Sequence, residues 1–152
     1  MYLSVKARLI NSFDSIYENN ATRRTFNIAL TLINETYKPI SFWIMNCSWQ
    51  QNFIINYPSI VYEGIDCNSN YPIKRTMKPN DSITFNGIVA INERFLNGLQ
   101  DKNKKLRIRN TNFGFVYIDS ISDESSFLDS IMDRNKQDKI IWSNSLYLFD
   151  DK

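Results

Sequence analysis

Few residues of this chain could do chemistry. They are Cys47 and Cys67, the carboxylates Glu63 and Asp66, a run of aromatics and amides from Trp49 to Tyr57, and the bases Lys102, Lys104, Lys105, Arg107 and Arg109. Histidine is absent from all 152 residues. That removes the commonest general base and metal ligand, and with them histidine-activated serine or cysteine nucleophiles and histidine-ligated zinc. Glu63 and Asp66 lie near each other in sequence, so a carboxylate-dependent glycosidase or lyase is the enzymatic alternative. Nothing in the local sequence aims the two at one bond, and no catalytic residue is assigned. Gly87, Gly98 and Gly114 stand singly, so no glycine-rich phosphate loop is present.

Cys47 and Cys67 could close a loop of about 21 residues, a closure worth about 3 kcal/mol on the chain-entropy account. The loop between them is the least regular stretch of the chain, where a staple has most to hold; the alternative is two buried thiols. A metal held by the two sulfurs would need carboxylates such as Asp66 to complete its shell, and neither metal nor cofactor is expected. Trp49, Phe53 and Tyr57, beside Gln50 and Asn52, have the composition of a sugar-binding or protein-binding face. Loops carry such faces more readily than strand interiors, so these five are preferred to Trp43 as ligand-binding residues. Arg107 and Arg109 alternate with Leu106 and Ile108, the pattern of a solvated strand face, and no nucleic-acid partner is expected.

The elements that must position these residues are mostly strands. Leu3, Val5, Ala7 and Leu9 alternate with polar residues and define a first strand. Glu18 to Arg24 has no large apolar residue and reads as a loop. Phe26, Ile28, Leu30 and Leu32 form a second strand that ends in a turn from Asn34 to Pro39; Ile40, Phe42 and Ile44 follow as a third, its expected hairpin partner. One or two short strands and a long loop are expected between Asn46 and Pro72. Lys78, Pro79, Asn80 and Asp81 make a strong turn before Ser82 to Phe85, and Gly87 suggests a bulge before Ile88 to Ile91. Strands at Leu106 to Arg109, Phe113 to Ile118 and Ile140 to Phe149 complete the series. Phe127, Leu128, Ile131 and Met132 recur at helical spacing and predict one short helix near 123–135.

Short strands between turn signals, without helical crossovers, predict an all-β, antiparallel β-sandwich of about 7–9 strands in one domain over 1–152. The order of a strand, a turn with Asn34 and Pro39, a strand with Trp43, and a Lys-Pro-Asn-Asp turn before Ile83 to Phe85 resembles bacterial immunoglobulin-like sandwich domains. It is loosely similar to the bacterial β-sandwich proteinase inhibitors and to uncharacterised secreted bacterial proteins. Trp43 precedes both cysteines, a departure from the inter-sheet pair that flanks the core tryptophan in immunoglobulin domains. The resemblance implies fold more than activity.

With 18 basic and 16 acidic side chains the net charge is +2, too balanced to draw the whole molecule to nucleic acid or an anionic membrane. No run approaches the roughly 18 apolar residues of a membrane span. Met1 to Lys6 lack the features of a secretory signal. A periplasmic, surface or secreted location is expected if a signal peptide has been removed, and a cytoplasmic one otherwise. The sequence therefore points to a non-enzymatic binding module for a protein or glycan; an inhibitor or immunity-type protein that blocks another enzyme is the alternative within binding.

Overall fold

In the computed structural model, residues 3–17, 21–92, 110–121, 127, 129 and 139–148 are described. Their alternating apolar runs form nine strands: β1 (Leu3–Tyr17), β2 (Ala21–Asn34), β3 (Ile40–Met45), β4 (Phe53–Ile55), β5 (Ile60–Glu63), β6 (Pro72–Met77), β7 (Ser82–Ile91), β8 (Phe113–Val116) and β9 (Ile140–Trp142). Every pairing is antiparallel. The strands make a four-stranded sheet in the order β1-β2-β7-β5, a pair β3-β6 and a three-stranded sheet β4-β8-β9. The result is an all-β, sandwich-like fold with a curled half-barrel.

Two expectations about strand extent and pairing need correction. The segment Ala21 to Arg24 is not loop: it belongs to β2 and pairs with Asp14 to Tyr17 of a β1 twice the expected length. Periodicity misses this ribbon because its cross-strand bonds are polar. Arg24 pairs with Asp14 at 3.5 Å and donates to Ser12 Oγ at 2.9 Å, and the Ser15 and Thr25 hydroxyls meet at 2.6 Å. A register shift between Leu9 and Asn11 marks where the clean alternation of the first strand ends. The second correction concerns β3, which pairs with β6 and not with β2. Both edges of β2 are occupied, by β1 and β7, so the Asn34–Pro39 turn carries the chain out of the first sheet into another.

Asn34 knits that turn to the Lys78–Asp81 turn. Its side chain is wholly buried, and its Nδ2 donates to the carbonyls of Lys38, Met77 and Lys78 at 2.9, 3.2 and 3.2 Å. Its Oδ1 accepts from the Thr36 backbone N–H and hydroxyl. Its own backbone bonds Asp81 and Asn80. In the second turn Asn80 sits at φ 65° after Pro79, and the Asp81 N–H returns to the Lys78 carbonyl at 3.1 Å. A proline followed by a left-handed residue is the type II arrangement that the sequence chemistry favours.

The core is aromatic. Phe26, Phe42, Phe53, Phe113 and Phe115 are fully buried, and Phe42 of β3 meets Phe115 of β8 edge-on at 5.3 Å. Alternation alone accounts for the inward faces of β2 and β3, where Ile28, Leu30 and Leu32, then Phe42 and Ile44, are at most 1% exposed. β8 is buried on both faces. Phe113 and Phe115 point to the main core, while Val116 and Ile118 join Met45 and Phe127 in a second cluster. Phe127 and Asp129 have helical backbone; the rest of the helix predicted near 123–135 lies outside the described residues, as do Leu106 to Arg109 and the basic cluster.

Gly87 makes no bulge. β7 pairs with β2 in unbroken register from Ser82 to Ala90. The glycine is there because the Trp49 ring lies on it: a Cβ would stand 2.8 Å from Cη2 and 3.0 Å from Cζ2. The last strand is shorter than its apolar run suggests, since β9 stops at Trp142. Beyond it Asn144 bonds both backbone groups of Ala7, accepting from its N–H at 2.8 Å and donating to its carbonyl at 3.0 Å. That side chain stands in for a neighbouring strand on the edge of β1, and the ladder of β9 ends where it does so.

Candidate functional site

The irregular segment between β3 and β5 opens with a single 3-10 turn, Trp49–Asn52, and runs into β4. Asn52 is wholly buried and structural. Its Oδ1 accepts from the Met45 N–H and its Nδ2 donates to the Trp43 carbonyl, both at 3.2 Å, which fastens the turn to the end of β3. Phe53 is 1% exposed, with its ring 5.6 Å from Phe85 and 5.1 Å from Phe115. Trp49 is half-buried between Phe53, Phe85 and Tyr62, at 5.6, 5.1 and 6.1 Å. The expectation that Trp49, Phe53 and Asn52 form an exposed ligand face is therefore corrected. These side chains close the top of the core, because a three-residue strand beside a 3-10 turn cannot cover it with strand residues alone.

Gln50 and Tyr57, the other two expected ligand residues, do face an open groove of about 690 Å³. Phe53, Tyr62, Ile65, and Ile140 and Trp142 of β9 are among its other lining residues. The size is that of an ordinary small-ligand or peptide-side-chain site. None of its described lining residues carries a charge at neutral pH. The Gln50 Oε1 is shielded from water and makes no hydrogen bond. By contrast the Asn56 amide is engaged: it donates to the Asn110 carbonyl at 3.1 Å and accepts from the Asn112 N–H at 2.9 Å.

Trp142, which the sequence reading did not single out, is 45% exposed. It pairs with Gly114 of β8, and a Cβ on Gly114 would stand 2.9 Å from both Cε3 and Cζ3 of the indole and 2.6 Å from Ile140 Cγ2. The missing side chain at Gly114 is what leaves room for the indole and for Ile140 against the strand. A glycine between Phe113 and Phe115 is the one sequence signal that something bulky approaches there; its partner, 28 residues or so along the chain, is a matter of pairing that no local pattern reveals.

The Tyr62 hydroxyl donates to the Phe53 carbonyl at 2.9 Å, and burial holds its phenol above the ordinary tyrosine value. A raised value means that the folded form resists ionisation, so the contribution of Tyr62 to stability is complete below the unfolded value near pH 10 and declines above it. We expect the urea midpoint of the wild-type protein to fall more steeply than that of Tyr62→Phe as the pH is raised from about 10. Parallel slopes would show that Tyr62 titrates freely.

Cys47 and Cys67 stand at disulfide-bonding distance, with Cα atoms 5.9 Å apart. Around them the chain is zipped by amides. Asn70 Oδ1 accepts from the N–H groups of Cys47 and Ser48, Asn70 Nδ2 donates to Ser48 Oγ at 2.6 Å, and Tyr71 N–H donates to Asn46 Oδ1 at 2.8 Å. The bridge ties the approach to the 3-10 turn to the loop that carries Ile65, and so links two segments that both contribute groove-lining residues. Replacing both cysteines by serine is expected to lower stability by about 3 kcal/mol. It should also speed hydrogen exchange selectively in residues 64–71. Equal urea midpoints for oxidised wild type and the double variant would contradict this.

The enzymatic alternative gains no geometry. Glu63 is ion-paired with Arg23, and Asp66 is exposed on the loop after β5. Among the described residues no three His, Cys, Asp or Glu side chains gather where they could hold a metal, and no helix is long and apolar enough to cross a membrane. The chain matches no family model, no curated protein and no solved structure.

Proposed function

We propose that this chain is a non-enzymatic binding module that recognises a protein or glycan through the groove between Gln50, Tyr57 and Trp142. The observation that carries the reading is the exposed Trp142, against Gly114 and lining a cleft whose described residues carry no charge. Large amphipathic rings held at low entropic cost are the usual anchors of recognition surfaces, and here the ring is fixed by the sheet beneath it. The sulfur pair at bonding distance supports a location in an oxidising compartment, such as the periplasm or cell surface.

The test is a photo-activated benzophenone side chain introduced at Ile65, a 46% exposed groove residue, and, as a control, at Tyr37, which is 96% exposed and does not line the groove. Irradiated in extract from the native source, the probe at 65 is expected to form an adduct that the probe at 37 does not. Excess unlabelled wild-type protein should suppress that adduct, and excess Trp142→Ala should not. No adduct at 65, or the same adducts at both positions, would sink the groove as the binding site.

A further inference from the structure

Exposed apolar side chains gather on the outer strand of the four-stranded sheet. Leu9, Ile10, Phe13 and Ile16 of β1 are four of the nine large apolar side chains exposed among the described residues. We propose that this stretch of β1 pairs antiparallel with the same stretch of a second copy of the chain, about a two-fold axis at Phe13, and so joins two four-stranded sheets edge to edge. The groove takes no part in this contact.

The backbone prepares the edge. Asn144 bonds both the N–H and the carbonyl of Ala7, so neither group is spent on β2. Positions that bond the neighbouring strand alternate with positions that do not along an antiparallel pair. Leu30, opposite Ala7, is therefore outside the set of β2 residues that bond β1, and Ala29, Asn27, Thr25 and Arg23 make up that set. Beyond the register shift the partners of the last three are Asn11, Phe13 and Ser15. Ser12 and Ile16, opposite Phe26 and Thr22, turn their N–H and carbonyl groups away from β2. Among the described residues Asn144 caps this edge at Ala7, ahead of the shift. The pairing of β2 with β7 ends at Thr25, so from Asp14 to Tyr17 the described sheet narrows to the β1–β2 ribbon. A ribbon of two strands is marginal in water, and an apolar strand edge is a template for a further strand.

The order of residues along the edge favours its own copy as that strand. Leu9 to Tyr17 reads apolar, apolar, polar, polar, Phe13, polar, polar, apolar, apolar, the same pattern in both directions. A contact about a two-fold axis needs such a pattern, because residue i meets j and j meets i. With Phe13 opposite itself, Ile10 faces Ile16 of the partner subunit and Asn11 faces its Ser15. Ser12 faces the partner's Asp14; its Oγ accepts from Arg24 and keeps its own proton to donate to that carboxylate. Moving the axis to Asp14 would set two carboxylates opposite each other and Phe13 against a serine, an unfavourable pairing. Moving it to Ser12 would set Ile10 against an aspartate and Phe13 against an asparagine. The register about Phe13 matches like with like along its whole length.

The test is sedimentation velocity of the whole oxidised protein over a range of concentrations, beside Ile16→Lys, Phe13→Cys and Ile16→Cys, each first shown by circular dichroism to be folded. A single strand edge makes a small interface, so the wild type is expected to pass from monomer to dimer with a Kd on the order of 10 µM. Ile16→Lys should raise that Kd about tenfold or more, since a lysine on a strand edge opposes pairing. Under mild oxidation Phe13→Cys is expected to give a disulfide-linked dimer, because directly opposed residues have Cβ atoms about 5 Å apart. Ile16→Cys should not, because in this register the two copies of residue 16 lie about 20 Å apart along the strands. Position 16 is 74% exposed and position 13 is 38% exposed, so random collision would favour cross-linking at 16. A wild type still monomeric at about 1 mM, a dimer indifferent to Ile16→Lys, or cross-linking at 16 as fast as at 13 would overturn the proposal.

Discussion

Replacing Asn34 by alanine is expected to destabilise the folded chain by about 3 kcal/mol. The figure follows from what the amide leaves behind. Three carbonyl groups, those of Lys38, Met77 and Lys78, lose a donor, and the Thr36 N–H loses its acceptor, at a position with no access to water. An orphaned buried group costs about 1–3 kcal/mol, and some of these carbonyls keep other partners or reach solvent, so the sum lies near the upper end of one full loss. Asn34→Asp is the sharper variant. Its shape is the same, but it would aim a carboxylate oxygen at three carbonyl oxygens, and at neutral pH it should be no better than alanine. Urea denaturation of the two variants measures both effects. If Asn34→Ala cost less than about 1 kcal/mol, the backbone bonds from Asn34 to Asp81 and Asn80 would be holding the two turns unaided.

The other large effect is expected at Phe53, where truncation to alanine should cost about 4 kcal/mol. Its ring lies among three others, Trp49, Phe85 and Phe115, at 5.1 to 5.6 Å, and it joins the 3-10 turn to β7 and β8. Rings on a sheet cannot close in on a void by small side-chain adjustments as aliphatic side chains can, so the cavity term persists. Phe53→Leu, which refills most of the volume, should recover more than half of the loss. Near-ultraviolet circular dichroism provides a second readout, since Trp49 would lose one of its fixed neighbours. A loss below about 2 kcal/mol for alanine would mean that Trp49 swings into the space and that the core here is softer than its packing suggests.

Both positions show how unevenly the sequence carries structural information. Phe53 was legible as a large apolar residue, yet its neighbourhood of amides suggested a ligand face. Burial depends on what comes to lie over a residue, and what lies over Phe53 is Phe85, 32 positions or so further on. Asn34 was legible as part of a turn, and so was the Lys78–Asp81 turn. That one buried amide fastens the two together was not, because hydrogen bonding between distant turns leaves no periodic trace.

The same division holds for the groove. Gln50 and Tyr57 were found because amides and aromatics in an irregular segment are unusual; Ile65, Ile140 and Trp142 were not. Trp142 ends the run Ile140-Ile141-Trp142, apolar in both phases, where alternation gives no inside and outside. Gly87 and Gly114 read as breaks in a strand, and both are places where an indole approaches the backbone, from Trp49 and Trp142 respectively.

By itself the sequence determined the antiparallel all-β character, the inward faces of β2 and β3 and both proline turns, and it marked Cys47 and Cys67 as a pair that could bond. These depend on period-two burial, on turn chemistry within a few neighbouring residues, and on there being only two cysteines. Tertiary structure alone decided that β3 pairs with β6, that the β1–β2 ribbon extends to Tyr17 and Ala21, and which aromatics are core and which face solvent. Strand partners and the covering of a side chain are contacts between residues far apart in the chain. Their free energy comes from the surface that two segments exclude from water together, and neither segment alone records it.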